Sequence, residues 1–540
     1  MGTIFLAALG WWHLNDVRLG VLECGDTWLV RDYLLLLAAA LAGTALCGWL
    51  LLGEQKKRPV KLEEIYFLAG TFLGVLYLLV LPPLSAPDEV SHYISAYQLS
   101  SHMLGQPSNS EDGHVLVRAK DWFLEDVYGE YVYDATEDYL VRQELRDGSD
   151  EGTVIGEPLV EETYRLIHDT LQNGQVNGNM EGLAVSPYPP VVTTPAAFFP
   201  QAVGISLARL LKLDSLWLVY LGRIANLLFF VLMVGLAMKR LPFGKEVLFG
   251  VALLPMTLHL SASLSYDVWI MAWIFYFTAC CLQLAFVADR VRDIDVAVLA
   301  AAMALAGPCK MIYAIFMGLC LLIPVRKFGS WKKWLLSGIC VLGAWILVMV
   351  LVNGQTVSMY MAPETENIIS WAEEPGYSPG TFRHQTLKCL QLIFNTIVWQ
   401  GEHYHLTMIG AYLGNLDPVL DVPYVLVMLF TGCLISLSLR KPGEQLIMTK
   451  RSRLWIWVLC LGCAGAAMLS MMLAWTPLSA KVIQGVQGRY FLPFLPVLLM
   501  SLKNDTLVLT HERNRKTLYI MCCTNAYVLL RLYGIVSMRL

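Results

Sequence analysis

The sequence predicts an all-α protein that crosses a membrane many times, and three observations carry that expectation. Of its 540 residues 56% are hydrophobic and only 15% charged, sixteen are tryptophan, and the mean hydropathy is +0.54. A water-soluble domain has no core large enough to hide that much apolar surface. The apolar residues also collect in long runs separated by short basic stretches, and backbone inside lipid must pair internally, so these runs are read as helices. Finally, acidic residues concentrate in one long segment: 84–214 holds 21 Asp and Glu against 7 Lys and Arg.

Taken in order, the apolar runs are 33–53, 64–84, 216–238, 246–263, 267–288, 295–307, 311–325, 334–353, 422–439, 454–475, 490–503 and 517–537. They predict about twelve transmembrane helices. Basic clusters at Lys56–Arg58, Lys239–Arg240, Arg326–Lys327 with Lys332–Lys333, Arg440–Lys441 with Lys450–Arg451, and Arg513–Lys516 all fall between runs on one side. By the positive-inside rule that side is cytoplasmic, and the acidic segment faces outward. The opening MGTIFLAALGWWHLND has no basic n-region and does not read as a cleaved signal peptide. The organisation expected is an N-terminal part (1–63) with an additional span, a membrane core (64–503) and a C-terminal span (504–540). The core carries a large first outer loop (84–214) and a second one (354–421). Within the first loop, 108–180 reads as a small polar subdomain, with patches such as Asp121-Trp122-Phe123 and Tyr131-Val132-Tyr133, and 195–212 as an amphipathic helix at the interface.

Composition excludes several classes. A net charge of −4 and a pI near 6.2 give no footprint for nucleic acid. The thirteen cysteines lie mostly inside apolar runs without metal spacing, and read as small core residues.

The sharpest chemistry lies where the run 64–84 ends. Pro82-Pro83 breaks it, and Ser85-Ala-Pro-Asp88-Glu89-Val-Ser-His92-Tyr93 follows at once. Carboxylates at a membrane boundary are costly to place. Helix capping alone would account for Asp88, three residues after Ser85 and one after Pro87. If a helix continues, Asp88 and His92 share one face and Glu89 and Tyr93 another. That set suits a general base acting on a hydroxyl, or binding of a sugar or metal ion. An apolar wall beside Asp88 would raise its pKa.

Three cations, Arg223, Lys310 and Arg489, map to the outer half of the membrane on this topology. Each alone would be read as snorkelling toward headgroups. Together, with Tyr490 beside Arg489, they suit an anionic phosphate. The rigid segment SPYPPVVTTPAAFFP, with Tyr188 near its start, reads as a turn or as one wall of a cleft. Asp267 reads as a helix cap, and Gly401-Glu402-His403-Tyr404-His405 is too weak a pattern for zinc. No cofactor is assigned, and whether a divalent metal takes part stays open.

These residues carry a resemblance. APDEVSHYISAYQLS, SPYPPVVTTPAAFFPQAVGI, LGRIANLL, ALLPMTLHLSASLSYD, CKMIY and IQGVQGRYFLPFLPVLL occur in this order between about Glu64 and Met500. The chain resembles a bacterial family known as a predicted membrane protein of unknown function, which is grouped with the GT-C glycosyltransferases. The resemblance implies a GT-C-like helical bundle whose large first outer loop carries the catalytic acid and interfacial helices. It implies a transferase that moves a sugar from a polyprenyl-phosphate carrier to a glycan, lipid or protein acceptor outside a bacterial cytoplasmic membrane. Asp88 would be the base and Glu89 its acidic neighbour. The span at 33–53 and the long acidic loop depart from the usual pattern. A lipid-linked glycan transporter or flippase is the alternative, though the inner halves of the runs are poor in charge. A non-catalytic cell-envelope assembly scaffold is a second.

Overall fold

The structure, a computed structural model, describes residues 2–53, 60–111, 113–121, 159–174, 182–186, 188–354, 368–369, 371–445 and 448–539. Among the described residues, seven helices are long and apolar enough to span a bilayer: Trp28–Leu52, Leu62–Val80, Ser215–Arg240, Asp267–Phe286, Trp331–Val352, Lys450–Trp475 and Asn514–Ser537. Each falls on an apolar run recognised in the sequence.

The other five runs take shorter forms. Residues 246–263 break at Leu254-Pro255 into Lys245–Ala252 and Pro255–Ser261. Asp293–Ala306 has 14 residues and Tyr424–Ser438 has 15, while Met311–Leu322 is a 3-10 helix. The last run divides into a 3-10 turn, Gly488–Phe491, and the short helix Leu495–Met500. At about 1.5 Å per residue, 14 residues cover about 21 Å, less than a hydrocarbon core of about 30 Å. Prolines at 255, 308, 493 and 496 explain most of the interruptions, since each removes a backbone donor and disfavours helix before it.

Among the described residues, two helices of more than 20 residues escaped the sequence pattern. Gly2–Cys24 precedes Trp28–Leu52, and both pack against Asn514–Ser537, joining the two ends of the chain. Asp16, Arg18 and Glu23 interrupt its apolar run. Thr386–Ile409, within the expected second outer loop, is a 24-residue helix that leaves Leu387, Phe394, Ile397 and Val398 exposed.

Ser215–Arg240 is the packing centre, touching Leu62–Val80, Asp267–Phe286 and the loop helix Phe199–Leu210. One end of the bundle is closed by ion pairs: Lys245–Glu63 at 3.5 Å, Lys441–Glu246 at 2.5 Å, and Lys503 with Glu444. Leu62–Val80 starts there and runs to the opposite end, where the loop helix Glu89–Met103 begins. On Phe199–Leu210 the stripe Phe199, Val203, Leu207 and Leu210 stays exposed, as an interfacial helix requires. Of the expected polar subdomain, Leu116–Arg118 pairs antiparallel with Leu183–Val185, and Glu161–Asn173 is a helix. The patches at Trp122-Phe123 and Tyr131–Tyr133, and the basic cluster Lys56–Arg58, lie outside the described residues.

Candidate functional site

Asp88 stands at the first turn of Glu89–Met103 with φ 59°, a left-handed conformation, and its side chain makes no capping bond. This corrects the capping expectation. Ser85 is no cap either, because its Oγ donates to the Pro82 carbonyl at 2.7 Å. Non-glycine residues rarely hold this backbone unless surroundings impose it, and such strain gathers at functional sites. From this position the Asp88 Oδ2 is ion-paired with Arg489 Nη2. The Asp88 side chain remains 53% exposed while the Arg489 side chain is 4% exposed, so the acid lies at the surface and the base is sunk behind it.

Local sequence places Arg489. Gly488 lies so close to Thr386–Ile409 that a Cβ would sit 2.2 Å from the Tyr404 carbonyl oxygen, and its amide donates to Thr407 Oγ1 at 3.0 Å. Only glycine permits this approach, and it delivers Arg489 into the bundle.

A second acid completes the group. Asp267, first residue of Asp267–Phe286, accepts from Lys310 Nζ at 2.6 Å, and its Oδ2 lies 3.5 Å from Arg489 Nε. Asp88, Arg489, Asp267 and Lys310 therefore form one alternating chain of charges. Lys310 Nζ also lies 4.3 Å from the centre of the Tyr490 ring and 5.0 Å from that of Tyr266. The turn before Lys310 is fixed by Thr193 Oγ1, which donates to the Cys309 carbonyl at 3.0 Å, and by Asn353 Nδ2, which donates to Pro308 at 2.7 Å. From the segment singled out at 186–200, Thr193 thus reaches the turn that carries Lys310. Sequence reasoning left Asp267 as a cap; only its charge at the end of an apolar run, opposite Lys310 and Arg489, signalled more.

Burial works to raise the Asp88 carboxyl, but the Arg489 guanidinium outweighs it and holds it below the usual carboxylate range. The expectation of a raised value is corrected: the guanidinium wins over the apolar wall. His92 shares the Asp88 face, is 2% exposed, and leaves Nδ1 without a hydrogen-bond partner. Burial pushes its pKa down to about 4, so the ring is neutral. It meets Tyr266 edge-on at 5.0 Å.

Other expected residues lie elsewhere. Glu89 is fully buried and turns away from Asp88: its oxygens accept from the amides of Ala86 at 3.0 Å and Leu264 at 2.8 Å. Burial raises its carboxyl, against Arg223. Arg223, also fully buried, donates to the carbonyls of Ala262 and Leu81, both at 2.6 Å, and lies 3.7 Å from Glu89. Asn226 and Gln201 answer the carbonyls of Ser263, Leu264 and Ser265. Irregular backbone at 261–266 would be ruinous at membrane depth without these partners. Arg223 and Glu89 are therefore consumed as a brace for that turn, and neither reaches the surface beside Asp88. Tyr93 is fully buried and packs edge-on against Tyr97, and Tyr188 is 3% exposed. His405 bonds Thr431 at 2.9 Å.

The site is thus an exposed carboxylate held in a strained backbone beside two cations, with a second carboxylate behind. Lys310 keeps donors in reserve, since its one side-chain hydrogen bond, to Asp267, commits one of three ammonium protons. The chain matches, over residues 71–498, the family described as Predicted membrane protein (DUF2142). It belongs to that family and is a multi-pass membrane protein. No curated protein and no solved structure matches it.

Proposed function

We propose that this protein is a membrane glycosyltransferase. It moves a sugar from a polyprenyl-phosphate-linked donor to an acceptor on the outer side of a cell membrane. The observation that carries this reading is the Asp88–Arg489–Asp267–Lys310 chain, with its one exposed carboxylate at the end of a membrane span.

In the proposed step Asp88 takes the proton of an acceptor hydroxyl while its oxygen attacks the anomeric carbon. The bond from that carbon to the phosphate oxygen breaks, and polyprenyl phosphate leaves with the electron pair, inverting the centre. A carboxylate with a lowered pKa is a weak base but is always in its working form at neutral pH. Arg489 and Lys310 supply donors to the phosphate, where negative charge grows. When phosphate arrives, it competes with Asp88 for the Arg489 guanidinium, which loosens the ion pair and restores basicity where it is needed. Asp267 keeps both cations oriented, and neutral His92 adds a polar ring to the Asp88 face. Glu89 and Arg223 support the fold of the site and take no part in the step.

The test is mass spectrometry of envelope glycans from cells carrying the wild-type protein, Asp88→Asn, or neither. A sugar present with wild type and missing from the other two is expected. Identical glycans from wild type and Asp88→Asn would overturn the assignment.

A further inference from the structure

A second recess adjoins this site. The loop helix Glu89–Met103 presents Asp88, His92, Ser95, Leu99 and His102 at helical spacing along one face. Beyond His92, that face and the segment 191–198 enclose a cavity of about 240 Å³. Ser95, Gln98, Leu99 and His102 form one side, and Thr193 and Phe198 belong to the other. Both sides connect to the chemistry. Phe198 lies 5.9 Å from the His92 ring and 5.5 Å from Tyr266, and Thr193 bonds the carbonyl just before Lys310. The sides are also fastened together, since the Val191 amide donates to Ser95 Oγ at 2.8 Å.

We infer that this cavity is a subsite for a neutral sugar unit of the acceptor, which makes the acceptor a glycan at least two units long. The inference rests on the transferase reading above.

The lining selects the ligand chemistry. No Lys, Arg, Asp or Glu lines the cavity among the described residues, so it offers nothing to balance a phosphate or a charged peptide. Hydroxyl, amide and imidazole groups alternate with Phe198 and Leu99, as a pyranose with apolar faces and a hydroxyl rim requires. The volume is below the roughly 300–1,000 Å³ of ordinary ligand pockets, so one ring fits and an extended chain does not.

Position sets the length. Seven residues separate Asp88 from Ser95, about 10 Å along a helix axis. A sugar in the cavity cannot place its own hydroxyl on Asp88. The reacting hydroxyl belongs to the next unit along the chain.

The test uses the full-length protein in nanodiscs. Labelled lipid-linked sugars extracted from cells lacking the protein serve as donor, and size-fractionated neutral oligosaccharides from the envelope of the same cells as acceptor. Leu99→Trp fills the cavity from a half-buried position, and Gln98→Ala removes a polar group without adding bulk. Two products are counted: label on oligosaccharide, and free sugar released by attack of water. Expected are at least a tenfold loss of oligosaccharide labelling in Leu99→Trp, a smaller loss in Gln98→Ala, and water-dependent release within twofold of wild type. Longer fractions should be labelled faster than monosaccharide. Labelling unaffected by Leu99→Trp, or equal for monosaccharide, would overturn the subsite while leaving the transferase reading intact. Label appearing on polypeptide rather than oligosaccharide would also overturn it, in favour of a peptide acceptor. Absence of both labelling and release with the wild type would overturn the transferase reading itself.

Discussion

On the transferase reading, replacing Asp88 by Asn separates chemistry from folding. Asn accepts the left-handed backbone nearly as well as Asp, so the turn at φ 59° survives. Arg489 loses its main partner but keeps Asp267 at 3.5 Å and the Pro87 carbonyl at 3.5 Å. Breaking a fully buried pair costs about 3–5 kcal/mol and a surface pair about 0–1 kcal/mol. With Asp88 half exposed and a second acid in reserve, a loss of about 1–2 kcal/mol is expected, so the variant remains folded. The rate effect is larger. A general base contributes about 10²–10⁴-fold, or about 3–5 kcal/mol of barrier. The assay is transfer of labelled sugar in nanodiscs beside a thermal melt in the same preparation. Transfer within twofold of wild type, with an unchanged melt, would refute the assignment of Asp88 as base. The pH profile adds a second check. Asp88 is held below the usual carboxylate range, so its pairing stabilises the fold above the unfolded value of about 3.9 and is lost as pH falls through the lower folded value. The wild-type kcat/KM, which reports the free protein, should therefore show no acid limb from Asp88 between about pH 5 and 8. Arg489→Gln removes the opposing charge but not the burial, and should move that limb upward.

Lys310→Met should raise the donor KM at least tenfold with a smaller effect on acceptor use, measured by varying each substrate separately. Asp267→Asn should loosen both cations, lowering kcat and weakening donor binding together; an unchanged donor KM would remove Asp267 from the site. Arg223→Met leaves Glu89 buried without its cation and strips the Leu81 and Ala262 carbonyls of a donor, a cost of about 3–5 kcal/mol. A melting temperature within a degree of wild type in nanodiscs would contradict the brace.

The spans most legible in the sequence were those that fold as single apolar helices of 19 or more residues, because length and hydropathy decide them without tertiary help. Asp88 was legible for a related reason, as an acid directly after such a span. Its neighbour Glu89 was not, because two adjacent carboxylates on different helix faces have opposite surroundings, and only packing says which face meets the surface. Arg223 looked like Arg489 in sequence, an arginine at the head of an apolar run. The difference lies in what surrounds each: backbone carbonyls of an irregular turn for one, two acids for the other. Asp267 was hidden by ambiguity, since the first residue of a helix is where an acid sits for ordinary reasons. The helix Gly2–Cys24 was missed because its charges break the run while its packing on Asn514–Ser537 does not depend on the run.

On the transferase reading, position 88 asks two separate things of its occupant, a carboxylate for reactivity and tolerance of a mirror-handed main chain. Most side chains would pay about 1–2 kcal/mol for the second requirement alone. A saturation library there would sort accordingly: Gly and Asn variants accumulating as sound but inert protein, Glu variants bearing the acid on a torsion it resists, and β-branched variants scarce in the membrane.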